Sequence, residues 1–493
     1  MPAELFRPGI QDLVRVLPEI VLTAFGTLVM VLEPLVDRAR KRWLGWIALL
    51  GLGCSLWASA VAHAWSGEAF GGLLVVDGYT TFFRVLVLLV GMLAVLCALD
   101  YVERERPGAG EYYALILFSL VGQSLMAASV ELMMVFIGLE ISSLATYVLA
   151  GYLRADQRSN EAAIKYFLLG SFATAFLLYG VAWVYGTTGT TRLGAIERTL
   201  SDVQAAPPMV LPGLAAALMF TGLAFKVSAA PFQVWTPDVY QGAPAPVVAF
   251  LSVAPKAAAF AVLLRILGTA FRPLVDRWEP VLWMSALGTM LIGNFAGLVQ
   301  EDIKRLLAYS SIAHAGYVLV AVTAHTQMAV AAALCYLAAY AAMNVGAFAI
   351  VTHFARQRER YTKIGDFAGL ARTQPTLAAL FALFLLSLIG VPLTAGFFGK
   401  FYAFKAAVDA GLVGLVVLAL LNSAVAAYYY LRILVVMYFH EPVESALTAP
   451  PLSGGLKAAV WACALATLVL GIAPSAVLEA ATHAATVTFA GTR

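Results

Sequence analysis

FLSVAPKAAAFAVLLRI, residues 250–266, is apolar along almost its whole length, yet Lys256 stands near its middle. Extended outward to residues 246–271, the run is long enough to cross a bilayer, for which about 20 apolar residues suffice. A charged ammonium at mid-depth costs roughly 3 to 10 kcal/mol, so a lysine placed there has a partner or a task. Other ionisable groups also lie inside predominantly apolar runs: Lys165 in EAAIKYFLLG, Lys226 in TGLAFKVSAAPF, Lys400 in TAGFFGKFYAF and the carboxylate Glu140 in VFIGLEISSLATYV. Taken together, these buried groups point to a charge pathway through a membrane.

The composition agrees. Of 493 residues, 62% are hydrophobic and only 12% charged, with mean hydropathy +0.86. Soluble domains carry about 25% charged residues, so the fold class is an all-α polytopic membrane protein. No polar interval reaches the roughly 50 residues of a compact soluble domain. Glu4, Arg7, Asp12 and Arg15 precede an apolar run too long for a signal-peptide core, so the first span is expected to be retained. A net charge of +3, with no basic stripe interleaved with aromatics, argues against nucleic acid as a partner. Cys54, Cys97, Cys335 and Cys463 form no CxxC pair, and the histidines are scattered, so neither a cluster nor a metal is expected. With no phosphate-binding glycine loop, no cofactor site is expected in this chain; any redox chemistry would belong to another subunit.

Apolar runs of spanning length fall near 17–36, 44–65, 79–100, 112–129, 131–153, 160–186, 209–243, 246–271, 279–300, 303–323, 326–354, 375–409, 411–439 and 456–488, which is fourteen. One alternating set of loops holds Arg38, Arg40, Lys41, Arg42, Arg104, Arg106, Arg154, Arg158, Lys304, Arg305, Arg356, Arg358, Arg360, Lys363 and Arg372. The other side holds only Arg7, Arg15, Arg192, Arg198, Arg272, Arg277 and Arg493. The positive-inside rule puts the first set in the cytoplasm and both termini outside.

Spans seven and twelve are anomalously long. A continuous helix over residues 209–243 would measure about 50 Å against about 30 Å of hydrocarbon. Pro231 and Pro237 interrupt the first of these spans, and Pro392, Gly396 and Gly399 the second, so each is read as two half-helices with a break. Irregular backbone at membrane depth persists only where protein or a water-filled cavity satisfies it. Tyr147 and Tyr317 are 317 − 147 = 170 apart, Tyr166 and Tyr336 336 − 166 = 170, and Lys226 and Lys400 400 − 226 = 174. This offset suggests two five-helix repeats, spans 4–8 and 9–13; five being odd, the second is inverted relative to the first, an arrangement that points to a transport site. The expected division is an N-terminal three-helix segment 1–111, a first repeat 112–271, a second repeat 272–440 and a C-terminal helix with tail 441–493.

For a lysine near a span end the simpler account is snorkelling, with the amine at the headgroups. Lys165, a few residues inside its span, is open to that account, and Lys405 is read as an anchor. Lys226 and Lys256 lie more than two turns from any expected end, beyond the reach of the side chain, and Lys400 sits beside the expected break. Glu140 serves either as their counter-charge or as half of a structural ion pair. His314, in YSSIAHAGYVLV, suits proton relay or hydrogen-bonded helix packing. Ser310, Ser311, Tyr317, Tyr336, Tyr340 and Asn344 extend a polar path or act as interhelical glue, and Trp43, Trp46 and Trp65 read as interfacial belt.

The stretch GLAFKVSAAPFQVWTPDVYQGAPAPVVAFLSVAPKAAAF (222–260) strongly resembles the subunit N family of bacterial proton-pumping NADH-quinone oxidoreductase, respiratory complex I, whose mitochondrial counterpart is subunit 2. FIGLEISSLATYVLAGY (136–152), EAAIKYFLLGSFATAFLLYG (161–180), EDIKRLLAYSSIAHAGYVLV (301–320) and GVPLTAGFFGKFY (390–402) support the resemblance, which extends over roughly residues 75–440. It implies an antiporter-like fold of fourteen helices with inverted five-helix repeats. By motif, Glu140 resembles the family's fifth-helix glutamate, and Lys226 its partner on the broken seventh helix. Lys256 resembles the central eighth-helix lysine, Lys400 the charged residue of the broken twelfth helix, and Lys165 a sixth-helix lysine. Lysine at 400 and the TPDVYQGAP loop favour subunit N over the related subunits L and M.

The resemblance further implies a non-redox subunit of a proton-translocating enzyme in the bacterial inner membrane. Its partners would be other membrane-arm subunits, including neighbouring antiporter-like and small subunits, with FMN, iron-sulfur clusters and quinone held elsewhere. Quinone reduction would alter the pairing of Glu140 with Lys226, and so the proton affinity of Lys256. The alternatives are a subunit of a multi-subunit sodium/proton antiporter, a scaffold whose charges only bind partner subunits, or the same subunit in a ferredoxin- or F420-linked complex.

Overall fold

The structure is a computed structural model that describes residues 9–37, 41–105, 108–202, 208, 210–355, 359–443 and 451–488. Of the cations counted above, Arg7, Arg38, Arg40, Arg106, Arg356, Arg358 and Arg493 lie outside the described residues, as do Glu4 and the two chain ends. The chain begins with α1 (Ile10–Arg15), α2 (Leu17–Leu32) and α3 (Arg42–Ala64). The hairpin β1 (Gly67–Ala69) and β2 (Leu74–Val76) follows, antiparallel, with Gly67 opposite Val76. Next come α4 (Gly78–Glu105), α5 (Ala109–Ala128), α6 (Leu132–Ala150), α7 (Gln157–Thr188), α8 (Leu193–Ser201), α9 (Val210–Val227), α10 (Trp235–Gly242), α11 (Ala245–Leu251) and α12 (Ala254–Gly268). The second half holds α13 (Val275–Leu298), α14 (Ile303–Thr323), α15 (Gln327–Ala355), α16 (Leu370–Thr373), α17 (Pro375–Ile389), α18 (Ala395–Asp409) and α19 (Val413–Phe439), and ends in α20 (Gly454–Ile472) and α21 (Ser475–Thr488).

Among the described residues, thirteen helical stretches are long and apolar enough to cross a membrane, and the pair α17 and α18 makes the remaining crossing. The span expected at 456–488 is shorter: α20 stops at Ile472, and Pro474, which cannot continue the helix, starts a separate α21 against α4 and α15. Polar side chains collect inside, while large apolar ones face outward. Trp57 is 68% and Phe172 71% exposed, whereas Lys256, Arg265, Lys304 and His314 are buried, as suits a protein whose solvent is lipid. Trp43 and Trp65, at the two ends of α3, are exposed, in keeping with an interfacial belt.

Both expected breaks are present. In span seven the helix stops at Val227 and resumes at Trp235, so Pro237 lies in the first turn of α10, where a missing N–H is harmless. In span twelve the helix stops at Ile389 and resumes at Ala395, with Pro392 in the gap and Gly396 and Gly399 inside α18. Gly390 ends α17 at φ 97°, a left-handed conformation that glycine adopts without strain. A third break, not expected from the sequence, divides span eight at Ser252–Val253, between α11 and α12.

A pair of backbone clasps relates the two halves. The Leu132 amide donates to the Thr191 carbonyl at 2.9 Å, and Leu193 N–H to Val130 O at 3.0 Å. In the second half Ile303 N–H donates to Thr362 O at 2.7 Å, and Ile364 N–H to Glu301 O at 2.8 Å. All four residues are displaced equally: 303 − 132 = 171, 362 − 191 = 171, 364 − 193 = 171 and 301 − 130 = 171. The caps repeat too, for Glu131 accepts from the amides of Met133 and Met134, and Asp302 from that of Arg305. Because α6 is the fifth crossing and α14 the tenth, the two clasps sit at opposite ends of the molecule.

Helices α5 and α6 meet with almost no space between them. A Cβ built on Gly122 would lie 2.4 Å from the Gly138 carbonyl oxygen and 2.5 Å from the Ser142 nitrogen. Gly122→Ala is therefore expected to destabilise the protein by about 1–3 kcal/mol, the usual penalty of overpacking. A lowered thermal midpoint of the purified protein would show it; an unchanged midpoint would mean that the two backbones part freely.

Candidate functional site

The lysines of the broken spans occupy different helix ends. Lys226 lies in the last turn of α9, 7% exposed, in a box of rings: its Nζ stands 4.9 Å from the centre of Tyr147, 5.1 Å from Tyr166 and 5.9 Å from Phe225. It donates to the Tyr147 hydroxyl at 3.5 Å. Aromatic faces attract a cation, and more strongly when water is excluded. Glu140 is half-buried on α6, and its Oε1 is enclosed without a hydrogen-bond partner. Among the described residues no ion pair joins Glu140 to Lys226; the aromatic box takes the place of the contact pair expected from the sequence.

Lys400 follows its break, in the second turn of α18, and reaches back across it. Its Nζ donates to the carbonyls of Leu388 at 3.1 Å and Ile389 at 2.7 Å, the last residues of α17, and to Ser423 Oγ on α19 at 2.8 Å. The carbonyl end of a helix lacks intrahelical donors and carries partial negative charge, so the break makes the ammonium's seat. The face of Tyr317 lies 4.8 Å from the same nitrogen. Lys226 and Lys400 are thus not equivalent in place: one precedes its break and the other follows, and the sequence offset of 174 had paired them.

Lys256 lies in the first turn of α12, just past the third break, and is 3% exposed. Its Nζ donates to Ser311 Oγ at 2.6 Å and to the Ser311 carbonyl at 3.3 Å. Ser310, the adjacent residue on α14, bonds to the Tyr430 hydroxyl of α19. That hydroxyl lies 3.4 Å from His314 Nε2, and His314 Nδ1 lies 2.7 Å from the Tyr336 hydroxyl of α15. The His314 and Tyr317 rings meet edge to face at 5.6 Å, and Tyr317 is the ring under Lys400. Hydrogen bonds therefore join Lys256 to Ser311, and Ser310 to Tyr430, His314 and Tyr336, while Tyr317 links this buried polar group to Lys400 by ring contacts. Asn344 donates to Ser252, in the third break, at 2.7 Å. The Asn344 carbonyl oxygen is enclosed and unpartnered among the described residues, and the buried hydroxyls of Tyr240 and Tyr340 lie beside Ser311.

Lys165 is not buried. Its side chain is 40% exposed and bonds to Asp238 at 2.6 Å and Glu161 at 2.7 Å, because its face of α7 borders a polar cavity of about 650 Å³. Lys405 pairs with Asp409 at 2.6 Å on an exposed face, as an anchor does.

Other charge clusters were not read from the sequence, since their members lie far apart in it. Lys304, counted above among loop cations, is fully buried and donates to Glu359 at 2.9 Å and to the Ala243 carbonyl at 2.6 Å. Glu359 also accepts from the Tyr101 hydroxyl at 2.6 Å and the Ala245 amide at 3.1 Å. Arg265, on α12, reaches Asp77 at 3.3 Å and Thr80 at 3.1 Å. Burial alone would raise the Asp77 carboxyl, but the Arg265 guanidinium and the Thr80 amide together hold it below the usual carboxylate range. Arg84 and Glu19 form a further buried pair at 2.8 Å. Arg84 and Arg265, cations inside the apolar runs 79–100 and 246–271, and Asp238, the one acid in the otherwise uncharged 227–255 stretch, were the signals that could have found them.

Comparison with known proteins gives the arrangement its relatives. The profile of the family described as NADH:quinone oxidoreductase/Mrp antiporter, TM, matches residues 129–426. The chain is 60% identical over 475 residues to NADH-quinone oxidoreductase subunit N 1 of Solibacter usitatus, covering 96% of this chain and 97% of that protein. It is similar in fold to a chain of respiratory complex I from Thermus thermophilus with bound aureothin, with TM-score 0.79 and 36% identity over 94% of this chain and 98% of that one. A chain of the Mrp complex from Dietzia superposes with TM-score 0.83 at 23% identity over 97% of this chain and 98% of that one, a likeness of fold alone.

Proposed function

The chain belongs to the subunit N family of NADH-quinone oxidoreductases, and from that premise we propose that it is a proton-translocating membrane-arm subunit of such a complex, without redox chemistry of its own. The observation that supports the proposal is the row of buried titratable and hydroxyl groups between Lys256 and the Lys400 seat, Ser311, Ser310, Tyr430, His314, Tyr336 and Tyr317, within which Ser310, Tyr430, His314 and Tyr336 are hydrogen-bonded in sequence. Each member is a group that can take up and release a proton, or a hydroxyl that can pass one on, and the row is held away from lipid by α14, α15 and α19. On this reading the partners are other membrane-arm subunits, including neighbouring antiporter-like and small subunits. FMN, iron-sulfur clusters and quinone belong to the rest of the complex.

We place the cation-rich loops in the cytoplasm and the opposite loops outside a bacterial plasma membrane. The functional units are two inverted five-helix repeats, 112–271 and 272–440, flanked by 1–111 and 441–493. Protons enter from the cytoplasmic side, pause at Lys256 and leave by way of Lys400. Glu140 and Lys226 form the input element: they do not touch, so a shift that closes or widens their separation changes the field at Lys256 without breaking a bond. The sodium/proton antiporter reading is supported by the shared fold and by a family profile that spans both kinds of protein, whereas the complex I relatives share sequence along nearly the whole chain.

Lys400→Met tests the exit. Methionine matches much of the arm but leaves the carbonyls of Leu388 and Ile389 without their donor. Proton translocation by the assembled complex in closed vesicles is expected to fall roughly tenfold, short of the hundredfold or more that a positioned acid-base group contributes. An unchanged number of protons per electron would take Lys400 out of the path.

A further inference from the structure

The gap in span seven is held from the other half of the chain. Ala230, four residues beyond Lys226, lies between α9 and α10, where no helical ladder serves its backbone. Two hydroxyls of α13 serve it instead: Thr289 Oγ1 accepts from the Ala230 amide at 2.8 Å, and Ser285 Oγ donates to the Ala230 carbonyl at 2.8 Å. Thr289 donates in turn to the Ser285 carbonyl at 2.5 Å, and both side chains are buried. The grip has no counterpart in the repeat. At the offset of 171, the matching positions are 285 − 171 = 114 and 289 − 171 = 118, occupied by Ala114 and Phe118, which offer no hydroxyl. Five residues beyond Thr289, Asn294 donates to the Tyr317 hydroxyl at 3.1 Å and accepts from that of Tyr429 at 3.2 Å. A Cβ built on Gly293 would lie 2.6 Å from Ala313 N, and one on Gly316 3.0 Å from Met290 N, so α13 and α14 meet backbone to backbone. Helix α14 carries Ser311, which accepts from Lys256, and Tyr317, whose ring lies under Lys400.

Resting on the proton-translocating reading above, we propose that Ser285 and Thr289 are positioning residues for the relay: they bind the break beside Lys226 to the α13–α14 hairpin, so that the break, Ser311 and Tyr317 move as one body. A shift of Lys226 in its aromatic box then reaches the seats of Lys256 and Lys400 as a displacement of their hydrogen-bond and ring partners, beyond any change of field. Coupling of this kind travels through contiguous packed elements, and the two hydroxyls make the break and the hairpin contiguous. Without them the Ala230 amide and carbonyl lose their partners at membrane depth, and the break shifts independently of α13.

The test uses the assembled complex in closed vesicles and reads both the rate of proton translocation and the protons moved per electron, a ratio that a lower yield of folded complex leaves unchanged. Ser285→Ala with Thr289→Val is expected to slow translocation about fivefold, the factor that one lost hydrogen bond carries, and to lower the ratio; Ser285→Thr with Thr289→Ser keeps both. A covalent link supplies the second arm. A Cβ built on Gly288 would lie 3.5 Å from the Ala230 Cβ, within the reach of a disulfide. Ala230→Cys with Gly288→Cys is therefore oxidised with copper phenanthroline, beside the parent and each single variant treated alike. The cross-link is expected to form, to leave translocation in the otherwise unchanged chain near the parent rate, and to restore at least half of the loss in the chain lacking the two hydroxyls. Full protons per electron without the hydroxyls, no restoration, no cross-link, or arrest of the otherwise unchanged chain by the cross-link would each overturn the proposal. If the chain lacking the hydroxyls does not assemble, the cross-link in the otherwise unchanged chain decides alone. Lys256→Arg measured alongside separates the two levels: if it translocates normally the proton-translocating reading falls, and if it is inactive while the chain lacking the hydroxyls runs at full rate only the grip is wrong.

Discussion

Lys256→Ala is expected to lower proton translocation by the assembled complex about a hundredfold, and Lys256→Arg to be as inactive. Lys256 is the one titratable group between Tyr240 and Arg265, and both of its hydrogen bonds go to Ser311, so no neighbour on its own helix replaces it. A positioned acid-base group contributes typically 10² to 10⁴ in rate, and alanine forfeits that contribution. Arginine is the sharper variant. Its guanidinium keeps the charge and hydrogen bonds to Ser311, but it does not release a proton in proteins. A scaffold role, in which the charge merely holds helices together, would survive Lys256→Arg; a relay would not. The readouts are the initial rate of vesicle acidification and the protons moved per electron. Normal values for Lys256→Arg, in complex of normal subunit content, would end the relay role.

The second large effect concerns stability. Glu359→Ala is expected to cost about 3–5 kcal/mol, because it leaves the Lys304 ammonium, whose side chain is 0% exposed, facing only the Ala243 carbonyl. The Tyr101 hydroxyl and the Ala245 amide lose their acceptor at the same time. Removing both charges together, in Lys304→Met with Glu359→Leu, is expected to recover most of that loss, since the penalty comes from an unpaired charge rather than from the absence of the pair. Thermal unfolding of the purified complex and the yield of assembled subunit measure both. If the double variant were no more stable than Glu359→Ala, the polar contacts to Tyr101 and Ala245 would be the stabilising element. The cluster clamps Ala243 and Ala245, the link between α10 and α11.

The order of crossings was legible because lipid demands long apolar runs, and a signal of about 20 residues survives uncertainty at its edges. Breaks seven and twelve were legible from proline and from excess length, but the break at Ser252–Val253 was not, since span eight has an ordinary length and its Pro255 falls in the first turn of α12. Lys256 and Lys400 were found by their cost in hydrocarbon. The buried Lys304 was misread as a loop cation, because depth depends on how neighbouring helices cover a span end, which no local pattern records. The repeat was glimpsed at offsets of 170 and 174, while the backbone clasps hold it at 171 throughout. Side-chain matches drift where a helix gains or loses a residue at a break; amide partners across a clasp do not.

Lys256 lies 256 − 245 = 11 residues from one end of its crossing and 268 − 256 = 12 from the other. A proton moved outward against the membrane voltage does work of about 2.3 kcal/mol for every 100 mV. On the relay reading proposed above, a resting place at the midpoint would divide that work into two steps of about 1.2 kcal/mol each, so that neither the loading of Lys256 nor its unloading would face the full electrical gradient at once.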